Sequence, residues 1–427
     1  MTNRTRVWLV VILLVAAALR IAWAAFAARP PSQSLHDPNF YLFYGEQIAN
    51  GNGYVLPNGL GPSAYFPVGY PIVLGIVDFV LIHTFGDHPI GAAAGVNVVC
   101  GVAAVFLVFL IGRRLFSDAV GLVAAGITAV YPNLVYHTAV ALTETVFNAI
   151  FLLFVYLVVS APWDERRFER RRVAALGLLL GVLVMIRPVA APIVLALFVV
   201  WLLGGFGWRR ALLYSGVIVG IAVLLVLPWI VRNIRVMHEA TLSTNTGDNL
   251  CMSRHVGATG TFDFDNNACF IGYENLVRPE YETKRDEDNR QRALDFIRDH
   301  PGEEVKLWWK RLYQTFKADW DGSWAAESYG DARFLSDSTR DTVHRVGSDY
   351  YLVTLALTAA AVVVLIRRHD REDPRWLFIP LAIITVVVLP VVTTFGDIRF
   401  KVPALPLFAL LAAVSIVALA DRLSRRS

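Results

Sequence analysis

At 427 residues the chain is 56% hydrophobic and 17% charged, with a mean hydropathy of +0.51; soluble domains average roughly 45–50% apolar and about 25% charged, so a water-soluble globule is excluded. Its apolar residues fall in blocks long enough to span a bilayer as helix, without the alternating pattern of an outer-membrane barrel, which makes it an all-α polytopic membrane protein. A net charge of +4 does not point to nucleic acid, and three cysteines cannot build a disulfide scaffold or a cysteine-rich metal site.

In chain order, apolar stretches cover residues 7–28, 72–84, 91–112, 119–137, 140–160, 173–186, 189–204, 211–231, 350–366, 377–392 and 404–420. If all eleven cross, Arg113-Arg114, the arginines of 166–172 and Arg209-Arg210 lie opposite Arg4 and Arg6, against the positive-inside rule. If 72–84 does not cross, every basic cluster falls on one side. That stretch carries Asp78 and His83 and is flanked by Pro67, Pro71 and Gly86, so it reads as a juxtamembrane or re-entrant helix. About 10 transmembrane helices remain, with both termini cytoplasmic. The cytoplasmic segments then hold 18 of the 39 Lys and Arg against 8 acids, and the long outer segment after helix seven holds 16 basic and 20 acidic residues.

Three parts follow. Residues 1–231 form a transmembrane catalytic core of helices 1–7 with a first outer loop at 29–90. Residues 232–347 form an extracytoplasmic soluble segment, and 348–427 carry helices 8–10. The first helix competes with a cleaved signal peptide, given Arg4, Arg6 and Ala25-Phe26-Ala27, but Arg20 and Trp23 favour a retained anchor. Within the soluble segment, 288–316 has helical spacing broken at His300-Pro301-Gly302, where His300 reads as a cap. Cys251 and Cys269 share this outer segment, where oxidation is permitted, and are expected to bond.

Charges at the ends of membrane helices are costly and seldom idle. Asp37 opens a helix-like stretch to Ala49 that stops at Gly51-Asn52-Gly53; with Pro38 behind it, Asp37 also suits a simple helix start. Glu144 is expected one turn inside the outer end of helix four, Arg187-Pro188 at the outer end of helix five, and Asp397, Arg399 and Lys401 in the turn between helices nine and ten. Acids and arginines thus converge on one membrane face. Such a set suits a lipid-phosphate donor: guanidinium groups clamp the phosphate, and a carboxylate takes the proton of an attacking hydroxyl.

The same residues resemble a known family. Asp37, Tyr41, Gly51-Asn52-Gly53-Tyr54 and the run from Ala64 to Pro71 look like the first loop of polyprenyl-phosphate-dependent glycosyltransferases of the C-type fold, the protein O-mannosyltransferase and lipid A aminoarabinose transferase group (family 39-like). The resemblance continues through Gly112-Arg113-Arg114-Leu115-Phe116, Tyr131-Pro132, Thr143-Glu144, Gly177 and Gly181, Arg187-Pro188, Pro228-Trp229 and Arg232-Asn233. It resumes at Ser243-Thr244, Gly247, His300-Pro301 and Gly396-Asp397-Ile398-Arg399-Phe400 with Pro403 and Pro406, so it covers nearly the whole chain in motifs that are each weak. It implies a bacterial plasma-membrane enzyme whose site is extracytoplasmic and which moves a monosaccharide, usually with inversion, from a polyprenyl-phosphate carrier to a protein, lipid or polysaccharide acceptor. Asp37 would be the general base, Glu144 a second acid holding acceptor or loop, and Arg187, Arg399 and Lys401 the donor-phosphate contacts. Tyr41, Tyr65, Tyr70 and Asp397 are candidate substrate contacts, and neither a cofactor nor a divalent metal is required. Many members have Asp-Glu at this loop start, whereas here Asp37 is followed by Pro38.

Other features are less specific. Asp263-Phe264-Asp265 resembles a metal-binding Asp-x-Asp but suits a surface turn. With Asn267 and Glu274 it has calcium-loop spacing, yet Ala268 stands where a glycine belongs. Trp308-Trp309, Trp320 and Trp324 suit either sugar faces or interfacial anchoring. A lipid-linked sugar flippase and a catalytically inactive envelope-assembly partner are the competing classes. Against the first, breaks and charges gather at the outer surface rather than the midplane.

Overall fold

A computed structural model describes the chain apart from residues 33–35, 57–59, 86–88, 164–167, 263–268, 274–275, 369–373 and 426–427. It consists of a helical bundle with a smaller helical layer on one end; among the described residues there is no β-strand beyond one isolated bridge, Val55 to Pro62. Asp263, Asp265, Asn267 and Glu274 lie outside the described residues.

Helix α1 (Asn3–Ala27) is capped by the Thr2 side chain, which accepts from Thr5 N. The chain then forms α2 (Asp37–Ala49), which stops at Asn50 and the left-handed Gly51, and α3 (Gly69–Phe85), which packs on α2. Helices α4 (Pro89–Leu115) and α5 (Asp118–Ala129) form a close pair. At Tyr131-Pro132 the proline cannot donate to the preceding turn, and the path bends by 58° into α6 (Pro132–Tyr136) and a 3₁₀ turn to Ala139. Carbonyls freed by this break would be unsatisfied in hydrocarbon. Arg20 of α1, 1% exposed, answers them: its guanidinium donates to Ala129 O at 3.0 Å and Thr128 O at 3.4 Å.

Helices α7 (Glu144–Val159), α8 (Arg170–Ile186), α9 (Ile193–Leu203) and α10 (Trp208–Val236) follow, then, after the outer layer, α15 (Asp337–Arg368), α16 (Phe378–Ile383), α17 (Leu389–Thr393) and α18 (Leu405–Ser424). The core is built from α4, α7, α8, α9 and α18 together with aromatic residues of the 41–70 region. The outer layer holds α11 (Thr246–Cys251), α12 (Glu280–Asp299), α13 (Pro301–Phe316) and α14 (Asp321–Ala326). The helix break falls at His300-Pro301, as the spacing predicts, because Pro301 starts a new helix at its first position. Helix α12 packs on α11 through Asp248, which accepts from Arg285 Nη2 at 2.8 Å and Asn289 Nδ2 at 2.8 Å. Cys251 and Cys269 are bonded to one another.

The protein is a multi-pass membrane protein. Among the described residues, six helical stretches, Asn3–Ala27, Pro89–Leu115, Trp208–Val236, Asp337–Arg367, Pro374–Thr393 and Ile398–Ser424, have the length and apolarity of a span, and the bent pair Asp118–Ala129 and Pro132–Ala139 makes a seventh when counted as one crossing. The other expected spans, α7, α8 and α9, are helical but have 16, 17 and 11 residues, short of the roughly 20 that a bilayer needs. Helix α7 is buried along most of its length by its neighbours, so protein rather than lipid surrounds it. The stretch expected not to cross is α3, a short apolar helix laid against α2.

Candidate active site

Four charged side chains from four separate breaks in the bundle meet at the end that carries the outer layer. Asp37 is the first residue of α2, with Pro38 behind it and His36 as the capping residue. Its carboxylate turns away from the helix to accept from Arg399 Nη1 at 2.7 Å, and is one-third exposed. Glu144 is the first residue of α7 rather than one turn inside a helix, because the backbone at Val140–Leu142 is not helical. It is fully buried and accepts from Arg399 Nε at 2.6 Å and from Arg187 Nη1. Arg187 lies where α8 ends in extended backbone before Pro188; it also donates to Thr143 Oγ1 at 3.3 Å and lies between the rings of Phe147 and Phe400. Arg399 sits in the 3₁₀ turn Ile398–Ala404, capped by Asp397, whose Oδ1 accepts from Arg399 N at 2.8 Å.

Arg399 therefore bridges the two carboxylates, and Glu144 joins the two arginines. A buried carboxylate is tolerated only when paired and hydrogen-bonded, and here two guanidinium groups do both. The set carries two positive and two negative charges, with Asp37 as its most open member. Tyr329 completes it: Arg399 Nη1 lies 3.3 Å from Tyr329 Oη, and the tyrosine ring packs between His36 and Trp324. Ser328 and Tyr329 both have positive φ, 51° and 56°, a conformation that costs a non-glycine residue free energy and marks a segment held by its surroundings. Burial, with Asp37 adding to it, pushes the Tyr41 phenol well up, and burial does the same to Tyr329; both stay neutral.

The remaining sequence candidates are placed differently. Lys401 does not join the cluster: its ammonium is wholly buried, 3.0 Å from Asp319, and donates to Ala318 O and Ile398 O. It thereby ties the Arg399 turn to the outer layer instead of facing a phosphate. Asp397 caps the turn through the bond to Arg399 N. Tyr65 donates to Asp248 Oδ2 at 2.8 Å, holding the first loop to α11. Tyr41 and Tyr70 are both buried, with their rings edge to face at 5.2 Å.

Behind Lys401 is a buried polar network that joins the Pro132 break to the outer layer. Asn133, just after the Pro132 break, donates to Asp319 at 2.8 Å and Asp321 at 2.7 Å, and Asp321 pairs with His137 at 2.9 Å. Burial pushes the Asp319 carboxyl up against the pull of Lys401. An asparagine beside a proline inside an apolar stretch was the available signal for this network; Tyr329 had none. Among the described residues, no group of three or more His, Cys, Asp or Glu side chains could hold a metal ion.

Residues 79–231 match the family model described as dolichyl-phosphate-mannose-protein mannosyltransferase. No curated protein matches the chain. Among solved structures, ArnT from Cupriavidus metallidurans bound to undecaprenyl phosphate is similar with a TM-score of 0.57 at 14% identity, over 97% of this chain and 61% of that one. The archaeal oligosaccharyltransferase AglB from Archaeoglobus fulgidus, in complex with an inhibitory peptide and a dolichol-phosphate, is similar with a TM-score of 0.55 at 13% identity, over 99% of this chain and 51% of that one. The chain thus spans between half and three-fifths of the length of these structures, and it has their C-type glycosyltransferase fold.

Proposed function

We propose that this chain, with its C-type fold and its mannosyltransferase-like segment, is a glycosyltransferase that moves a monosaccharide from a polyprenyl-phosphate donor to an acceptor hydroxyl, with inversion. The carrying observation is Arg399 bridging Asp37 and Glu144 at 2.7 and 2.6 Å. In this reading Arg187 and Arg399 contact the donor phosphate, a role that suits the fixed donor fork of guanidinium. Glu144 holds both guanidinium groups in register and touches no substrate, a role different from the acceptor-holding one suggested by resemblance. Asp37, the exposed carboxylate, accepts the acceptor hydroxyl's proton as that oxygen bonds to the anomeric carbon and the carbon–phosphate oxygen bond breaks. Polyprenyl phosphate departs on the opposite face, its charge balanced by the arginines. Both termini are cytoplasmic in this reading and the cluster faces the extracytoplasmic side, since that arrangement gathers the basic clusters inside. The proposed division at 231/232 and 347/348 falls inside α10 and α15, and the layer between these two helices supplies Tyr329.

The test is transfer by purified protein from a panel of polyprenyl-phosphate sugars to envelope acceptors, comparing the natural chain with Asp37→Asn. Donor-dependent product is expected from the natural chain, with a fall of roughly two orders of magnitude or more in the variant, the scale of removing a general base. Undiminished transfer by the variant removes Asp37 from the mechanism. Donor movement across vesicles without product supports a flippase instead.

A further inference from the structure

Helix α13 buries one face and leaves another unlike any water-facing surface. Leu307 and Arg311 are buried, and Leu312 and Phe316 pack on a cluster of Tyr351, Val387, Val391 and Val402 contributed by the ends of membrane spans. Arg311 Nη1 donates to Val392 O at 2.7 Å, in the last turn of the Pro374–Thr393 span. The helix is therefore seated directly on the end of the membrane bundle. Its other face exposes Val305 (47%), Trp309 (71%) and Tyr313 (68%) at successive i, i+4 positions, with Trp308 (42%) beside them. The chain has five lysines, and Lys306, Lys310 and Lys317 lie on or just beyond this helix.

We infer that α13 lies along the membrane surface on the side of the candidate site and binds anionic phospholipid headgroups. Tryptophan and tyrosine rings, apolar in body and polar at the tip, belong at headgroup depth, and lysine stems run along apolar surface while their ammonium groups reach phosphate. The span on which α13 is seated through Arg311 and Val392 also leaves Ile384 and Leu389 exposed. Of the two first-turn acids, Glu304 faces inward and is taken by Arg254 and Arg311, and Glu303 is exposed and paired with Lys306 at 2.6 Å, so the cation that the stripe offers without a carboxylate beside it is Lys310, held only by a backbone carbonyl. Beside the stripe an open groove of about 480 Å³, walled by Trp309, Lys310, Tyr313 and the Gly257–Thr259 loop, gives a headgroup room. Lys310 spends one of its three donors on Ala258 O at 2.9 Å, leaving two for an anion.

The experiment places an environment-sensitive probe on Val305→Cys in the full chain with Cys100→Ser, leaving Trp309 and Tyr313 intact, and the same probe on Glu287→Cys of α12 as reference. The protein is reconstituted into phosphatidylcholine vesicles with or without phosphatidylglycerol, and quenching by headgroup and shallow acyl-chain nitroxide lipids is read. The probe at 305 should be quenched several-fold more than that at 287, more strongly with phosphatidylglycerol. Trp309→Ala with Tyr313→Ala should reduce the quenching, and Lys306→Gln with Lys310→Gln should abolish the phosphatidylglycerol increment. Equal quenching at 305 and 287 overturns the assignment. Equal quenching in both lipids overturns its anionic preference. A response at 305 to soluble envelope oligosaccharide in place of lipid overturns it in favour of a glycan platform.

Discussion

Lys401 and Arg399 are two residues apart, yet one is sealed in the protein and the other faces the site. In a 3₁₀ turn of three residues each, positions i and i+2 point in different directions, so one turn both presents a guanidinium and anchors itself through an ammonium. Because Lys401 and Asp319 are both fully buried, removing one strands the other. Lys401→Met is expected to lower stability by about 3–5 kcal/mol, the usual scale for breaking a buried pair. Combining it with Asp319→Asn should recover part of that loss. Thermal unfolding of the two single variants and the double variant in lipid nanodiscs measures the coupling, and strict additivity would show that the pair does not hold the turn. Sequence reading expected Lys401 at the phosphate because spacing reports proximity along the chain and says nothing of direction. It did gather Asp37, Glu144, Arg187 and Arg399, since a charge at the end of an apolar stretch is conspicuous whatever its partner.

At the scale of elements, the segment after α14 is a strap. Glu327, fully buried, accepts from Phe334 N and Leu335 N at 2.8 Å each and from Arg340 Nε, so the strap closes on itself around the left-handed Ser328 and Tyr329. Burial alone would raise the Glu327 carboxyl, but Arg340 and the two backbone donors bring it below its ordinary 4.5. A depressed carboxylate contributes stability that is complete above the unfolded value and is lost as pH falls through the folded one. The melting temperature should therefore drop as pH is lowered below about 4.5, and Glu327→Gln should flatten that drop while lowering stability near neutrality. An unchanged acid limb in the variant would discount the strap as its source. Nothing in Ala326-Glu327-Ser328-Tyr329-Gly330 has a period or a motif, and its link to Arg399 joins residues 70 positions apart; the third side of the site was illegible for that reason. The turn on the opposite side is equally constrained: a Cβ on Gly396 would lie 2.2 Å from Arg311 O, so only glycine lets α13 and the Arg399 turn touch backbone to backbone.

For the molecule as a whole, hydropathy was enough for the class, because runs of apolar residues mark helices that leave water. The same signal does not tell lipid from protein as the surroundings. Helix α7 reads like a span although its neighbours enclose it, which is why apolar blocks alone do not yield the number of crossings. Sidedness is a separate question with a direct measurement. In a Cys100→Ser background, a membrane-impermeant maleimide should label Ser336→Cys in intact cells, and Ser117→Cys only after permeabilisation. Labelling of Ser117→Cys from outside would reverse the proposed orientation.

Arg20 bears on how such a bundle comes to exist. The stretch 118–139 carries a break whose carbonyls at Thr128 and Ala129 are answered by a side chain from α1, so the bent segment in isolation would expose unpaired backbone to lipid. Synthesis runs from the N-terminus, and the cation that heals the break enters the membrane before the break is made. Helix α1 thus carries the donors that the bent segment lacks, and the two are compatible with a bilayer as a packed pair rather than one by one.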